Sequence, residues 1–231
     1  MRFFQNLKSF LRFYLKPFLK SSNSIDKKYI AKFLPKNPII VEAGAHVGLD
    51  TIEMAKIWPE SKIYAFEPVL EIFNQLKKNT SKYSNITCIK LGLSNKTGVG
   101  KMFVSSGASD GSSSLLEPKE HLVIHPNVKF EKSSTISIIS LDDWVKKNNI
   151  KKIDFLWLDL QGMEYSVLKK SKNLLKSTKV IVTEVSLVEN YSNGVLYPKL
   201  KSFLLKNWFK IEKEEILWED GGNVLFIKNN T

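Results

Sequence analysis

From Ile39 onward, short apolar runs alternate with stretches of helical periodicity, and this alternation restricts the chain to βαβ units around a parallel sheet. A parallel strand covered by helices on both faces reads as a nearly continuous apolar run. Strands are expected near residues 39–43, 62–67, 86–91, 154–160 and 179–185, and helices near 50–58, 70–80, 141–148 and 165–171. Between the third and fourth parallel strands lies a long insertion. It holds two further apolar runs, 101–104 and 136–139, and the polar loop 105–114. At the far end, 208–214 and 224–228 flank Asp220-Gly-Gly-Asn223 and read as an antiparallel hairpin closing the sheet. The 231 residues suit one core rather than two. The expected division is a basic segment, 1–24, followed by a single α/β domain, 25–231.

The formal net charge of +12 favours anionic partners, yet among 35 basic side chains only Arg2 and Arg12 are arginines. Arginine's planar fork grips phosphate and reads guanine, so nucleic acid is not the expected partner. Lys8, Arg12, Lys16 and Lys20 recur at four-residue spacing within an otherwise apolar N-terminus. On a helix they form one stripe, which leaves two readings for residues 1–20: an amphipathic segment lying on an anionic membrane or a partner, or a helix packed on its own domain. No uncharged apolar stretch there is long enough for a membrane span or a signal-peptide core. The expected location is cytoplasmic, with peripheral contact at the inner face of a membrane as the alternative. The single cysteine, Cys88, forms no internal disulfide and fits a reducing compartment.

Three strand ends carry the chemistry. The first is Val41-Glu-Ala-Gly-Ala-His-Val-Gly48, where glycines let the chain turn tightly and let a ligand approach the backbone as a helix begins. A dinucleotide turn needs a third glycine two residues after Gly44, and His46 stands there, so a nicotinamide or flavin cofactor is disfavoured. The second is Tyr64-Ala-Phe-Glu-Pro68, which puts Glu67 at a strand end about 20 residues beyond the glycine turn, where an acid accepts hydrogen bonds from ribose hydroxyls. A nucleoside is implied. The third is Asp154-Phe-Leu-Trp-Leu-Asp-Leu-Gln-Gly-Met-Glu164, which brings Asp159, Gln161 and Glu164 to the crevice at the carboxyl ends of the strands.

These segments, with Leu91-Gly-Leu-Ser94, Gly111-Ser-Ser-Ser-Leu115 and Leu141-Asp-Asp-Trp144, resemble the FkbM family of methyltransferases in order and approximate spacing from about Ile39 to Lys228. One departure is His46, where the family more usually has asparagine. The resemblance implies a Rossmann-like fold with a mainly parallel seven-stranded sheet ending in an antiparallel hairpin, and S-adenosylmethionine as cofactor. It implies cofactor contacts at Glu42, Gly44, Ala45, His46, Gly48 and Thr51, with the Gly44 turn near the methionine end. Glu67 and Pro68 would then serve the ribose, Leu93 and Ser94 the adenine, and Asp159 and Leu160 would complete the set. Family members commonly methylate oxygen on sugars or polyketide-like products, so a hydroxyl of a sugar, glycan or related small molecule is the expected acceptor.

An alcohol is too weak an acid to ionise beforehand, so a nearby base or metal must take its proton as the bond forms. Asp159 is the first candidate base. Glu184, at the end of the next strand, could join it around an oxygen-preferring divalent cation. His46 is the third candidate, because it sits in the cofactor turn; His121 and His125 are expected to be exposed in the insertion. Two alternatives stay open: a nucleic-acid methyltransferase, and a non-catalytic adaptor that binds S-adenosylmethionine at a membrane. The oligomeric state is not readable from one sequence.

Overall fold

The computed structural model describes residues 25–229. The N-terminal segment 1–24, and the readings of residues 1–20 attached to it, lie outside the described residues.

Five strands alternate with helices as the periodicity requires. The elements are α1 (Lys27–Ile30), β1 (Ile39–Ala43), α2 (Leu49–Ile57), β2 (Lys62–Phe66), α3 (Leu70–Thr80), β3 (Ile86–Ile89), β4 (Gly92–Ser94), β5 (Gly98–Gly107), α4 (His121–Ile124), β6 (Val128–Ser140) and α5 (Leu141–Lys147). They continue with β7 (Phe155–Leu158), α6 (Glu164–Lys170), α7 (Lys172–Leu175), β8 (Val180–Ser186), α8 (Tyr197–Lys206), β9 (Phe209–Glu215) and β10 (Gly221–Lys228). The main sheet has seven strands in the order β3-β2-β1-β7-β8-β10-β9. Its first five are parallel and the last two antiparallel. β10 carries the apolar run Val224–Ile227 and takes the inner position, whereas β9, with Lys210, Glu212, Lys213 and Glu214, forms the charged edge.

The sheet packs helices on both faces. One side buries Leu156, Leu158, Ile181 and Val185 under α5, α6, α7 and α8. The other buries Ile40, Phe155 and Val182 under Ile30 of α1 and Met54 and Ala55 of α2. The insertion forms a second sheet, β4-β6-β5, with β4 and β6 parallel and β5 and β6 antiparallel. Both apolar runs of the insertion belong to longer strands than the sequence reading assigned. β4 escapes that reading because it spans only 3 residues.

Three sequence expectations are corrected. Gly221, Gly222 and Asn223 are not a turn but the start of β10, paired with Ser186, Val185 and Glu184. A Cβ on Gly222 would lie 2.0 Å from the Glu215 carbonyl oxygen, so that glycine serves close strand packing. Helix α8, opened by Pro198 in its first turn, lies in a stretch where no helix was expected. His121 is buried rather than exposed, packed at 5.4 Å from both Phe130 and Tyr191.

Candidate active site

The carboxyl ends of β1, β2 and β7 open onto a cleft of about 230 Å3, an order of magnitude more than a water molecule needs. Its floor is the turn after β1. Gly44 and Ala45 donate their backbone N–H groups to the Phe66 carbonyl at 3.1 and 2.9 Å, which pins the turn to β2. Gly44 has φ +85°, and a Cβ there would stand 1.9 Å from the Asp159 carbonyl oxygen. Only glycine lets β1 and β7 approach this closely at the crevice. His46 also adopts a left-handed backbone, φ +50°. Its Nε2 lies 2.9 Å from Asp110 Oδ1 on the polar loop of the insertion.

Glu67 is buried at the end of β2, and both carboxylate oxygens are held by backbone donors: Oε2 by His46 N at 3.1 Å and Oε1 by Val69 N at 2.8 Å. Burial pushes its pKa up to about 7, against the pull of those N–H groups and of His46. Each oxygen keeps a lone pair free for a ligand hydroxyl.

Of the residues expected at a cofactor, Gly44, Ala45, His46, Glu67, Pro68, Leu93, Asp159 and Leu160 line the cleft. Glu42, Gly48, Thr51 and Ser94 do not. Glu42 lies fully buried behind the turn, where its carboxylate accepts the Thr51 hydroxyl, and burial raises its pKa to about 8. Gly48, φ +88°, is the residue that opens α2, and a Cβ on it would press on the Leu76 side chain. Ser94 is buried in β4 opposite Ser140. Their service is to the turn and the second sheet. Asp110, in the polar stretch 109–114 that the sequence offered as a cover for the cofactor, also lines the cleft, as do Asp50, Met102 and Leu115, for which no role was expected. Asp50 follows the second glycine of the turn and was legible as a helix N-terminal acid; Met102, Asp110 and Leu115 reach the cleft only through the folding of the insertion.

A second group of acids flanks the cleft. Asp159 Oδ1 and Glu184 Oε2 lie 2.7 and 2.6 Å from Gln161 Nε2, and Gln161 Oε1 is 2.7 Å from the Tyr191 hydroxyl. Glu164 is buried beneath them, accepting the Leu160 and Gly162 N–H groups at 2.7 and 3.0 Å, and burial raises it to about 7. Burial also raises Asp159, while the Gln161 amide and Glu184 pull it back. Burial and the neighbouring Asp159 and Glu164 drive Glu184 well above the ordinary carboxylate range. Both acids are therefore raised together, and the pair favours one shared proton over two charges. Asp159 and Glu184 do not fit a divalent cation. The N–H donor of Gln161 stands between them, and among the described residues no group of three or more His, Cys, Asp or Glu side chains gathers to hold a metal.

Residues 42–211 match the methyltransferase FkbM domain. The chain belongs to the FkbM methyltransferase family. This family member is 27% identical to the 2-O-methyltransferase NoeI of Sinorhizobium fredii, over 81% of its own length and 78% of that protein. It is 25% identical to the methyltransferase sdnD of Sordaria araneosa, over 84% and 82% of the two chains. It is 24% identical to the hexuronic acid methyltransferase AglP of Haloferax volcanii, over 65% and 56%. Among solved structures it shares the fold of the Methanococcus jannaschii fibrillarin pre-rRNA processing protein, with TM-score 0.52 and 16% identity over 90% of this chain and 76% of that one. It also shares the fold of Aeropyrum pernix fibrillarin in complex with S-adenosylmethionine, with TM-score 0.50 and 12% identity over 84% and 69%.

The FkbM enzyme is thus an S-adenosylmethionine-dependent methyltransferase with a mostly parallel seven-stranded Rossmann-like sheet. Its cleft suits such a cofactor chemically. A buried carboxylate at the end of β2 offers two lone pairs to a diol, and the neighbouring wall of Val69, Ile72, Leu91, Leu93 and Met102 is apolar enough for a flat base. Among the described residues no helix is long and apolar enough to cross a membrane.

Proposed function

We propose that this enzyme methylates a hydroxyl group of a sugar, glycan or related small molecule. The cofactor occupies the cleft, with Glu67 on the ribose hydroxyls, the Gly44–His46 turn and Asp50 at the methionine end, and Leu93 with its apolar neighbours on the adenine. The observation that carries this reading is the continuity of the cleft with the Asp159–Gln161–Glu184 group. Glu67 and Asp159, carboxylates at the ends of β2 and β7, line one crevice, and Gln161 links Asp159 to Glu184.

When bound, S-adenosylmethionine supplies a methyl group on a sulfonium, ready for an in-line nucleophile. The protein's contribution is placement and proton transfer. Asp159, the acid of the pair that lines the cleft, takes the acceptor hydroxyl's proton as the acceptor oxygen bonds the methyl carbon and the carbon–sulfur bond breaks; Glu184 shares that proton from behind. His46 is tied to Asp110 and holds the polar loop over the cleft rather than serving as base. A carbohydrate acceptor is supported by the relatives: one is a 2-O-methyltransferase by name and another a hexuronic acid methyltransferase.

Isothermal calorimetry with S-adenosylmethionine and S-adenosylhomocysteine, on wild type and Glu67→Ala, tests the cofactor half. Micromolar binding weakened about 30-fold by the substitution is the expected result, and no heat from folded wild-type protein at millimolar ligand would overturn it. Transfer of labelled methyl to a panel of sugars tests the acceptor half, with transfer to RNA alone as the outcome against it. Peripheral membrane contact through residues 1–20 remains part of the proposal; it predicts flotation with anionic liposomes that deletion of those residues abolishes.

A further inference from the structure

We propose that Gln161 is a positioning residue for methyl transfer: its side-chain amide, itself held by Tyr191 and the inserted segment, fixes which oxygens of Asp159 and Glu184 are free to meet the acceptor. The inference rests on the reading of the cleft given above.

The hydrogen-bond inventory fixes the amide. Its NH2 has two protons, and both carboxylates lie within reach of Nε2, at 2.7 Å for Asp159 Oδ1 and 2.6 Å for Glu184 Oε2. A flipped amide would set its carbonyl oxygen against the ionised acid of the pair, with no proton between them. Oε1 therefore faces the Tyr191 hydroxyl, 2.7 Å away, and accepts its proton. One oxygen of each acid is occupied by this amide, and a direct hydrogen bond joins the two acids, so the amide sets how the pair presents itself to the acceptor.

The backbone at Gln161 is strained into the left-handed region, φ +50°, a cost that surrounding contacts must hold in place. Ser114 Oγ donates to the Gln161 carbonyl at 2.7 Å, and Gly162, the next residue, packs on Tyr191 and Leu116. Every one of these supports belongs to the insertion or to the segment after β8. Tyr191 adds a second link, because its hydroxyl also lies 2.8 Å from the Ser112 carbonyl, and its single proton serves one acceptor at a time. Ser113, beside Ser112, lines the cleft together with Asp110 and Gly111. A loop position that releases the Ser112 carbonyl gives the Tyr191 proton wholly to Gln161. The state of the cofactor cleft is thereby coupled to the orientation of the acids.

The charged groups around the pair make this amide matter. Asp159 faces Asp50 and His46 from the turn and start of α2, and Glu184 from β8. Glu184 faces Asp159, Glu164 of α6 and Asp220 before β10, and Tyr191 faces the same acids. Among these influences, the Gln161 bond is the strongest one lowering the pKa of Asp159.

Carbon-13 carboxyl titration of the apoprotein tests the proposal without an acceptor or a cofactor, with the Asp159 signal assigned through Asp159→Asn. Gln161→Asn keeps a residue that tolerates left-handed backbone but is too short to reach both acids. Its Asp159 midpoint is expected at higher pH than in wild type. Tyr191→Phe, which leaves the shape of the site intact, is expected to move it the same way by less. In turnover, both variants should lower kcat, Gln161→Asn by about 10²-fold, with the KM for S-adenosylmethionine unchanged and the acid limb of kcat/KM moved to higher pH. An unmoved Asp159 midpoint in both folded variants would overturn the proposal. Failure of wild type to bind S-adenosylhomocysteine would instead overturn the cofactor reading and leave the titration result standing.

Discussion

The two halves of the cleft are built in different ways. On the cofactor side, Glu67 is fixed by the N–H groups of His46 and Val69, and the turn beneath it by the Phe66 carbonyl, so main-chain geometry at two strand ends sets the site. On the acid side, Asp159 and Glu184 are fixed by the side chain of Gln161, which depends on Tyr191 some 30 residues along the chain. A site made of backbone is changed only by altering the path of the chain. A site made of side chains is changed by single substitutions, which suits the part that must adapt to different acceptors.

The largest expected effect strikes the seam between the halves. Gly44→Ala drives a Cβ into the Asp159 carbonyl at a backbone angle that alanine resists, and should cost about 4 kcal/mol or more in denaturant unfolding. A stable, cofactor-binding variant would show that the close approach of β1 and β7 is not needed. Next is Asp159→Asn. The expected loss in kcat is about 10²-fold or more, with S-adenosylhomocysteine affinity little changed in calorimetry. An equal loss in both would erase the division between the halves. Glu67→Ala should act in the opposite sense, weakening S-adenosylhomocysteine by about 2 kcal/mol through the loss of charge-assisted hydrogen bonds to the ribose. Thermal unfolding of that variant separates weakened binding from lost fold.

The smallest effect is on stability against pH. Glu42 is raised to about 8, and Glu67 and Glu164 to about 7, from an ordinary 4.5. The folded chain therefore holds protons that the unfolded chain releases, and stability falls as pH rises from about 4.5 towards 8. His121, lowered to about 4 from 6.5 by burial and by His125, works in the opposite direction below pH 6.5. Three raised acids outweigh the one histidine, so the net fall begins near pH 4.5, and above about pH 7 it continues through Glu42 alone. Glu42→Gln should lessen it by about 1 kcal/mol, because a neutral amide has no proton to lose. A melting temperature for the wild-type apoprotein that climbs across this interval would contradict the burial of these acids.

The cofactor half was largely legible in the sequence because its parts are local. Gly44, His46, Gly48 and Glu67 stand where short apolar runs end, and strand ends of a parallel sheet are where ligands bind. Glu42 and Thr51 were read too far: both belong to the turn but lie behind it, since the alternation of a strand sends Glu42 into the protein rather than towards the cleft. The acid half was legible only in pieces. Asp159 and Glu184 were marked by their positions at successive strand ends, but the metal ion they seemed to invite is replaced by an amide from the same loop. Tyr191 gave no signal, since nothing local distinguishes a tyrosine in an irregular segment.

The sequence by itself determined the layered α/β architecture, the family and the strand ends that carry the chemistry, because periodicity and glycine placement act over a few residues. Tertiary structure alone decided that β10 lies between β8 and β9 and that His121 is buried. It also decided that Ser112, Gln161 and Tyr191 meet beside the two acids. Those outcomes depend on which surfaces cover one another, and contacts between segments 30 to 80 residues apart leave no periodic trace in the chain.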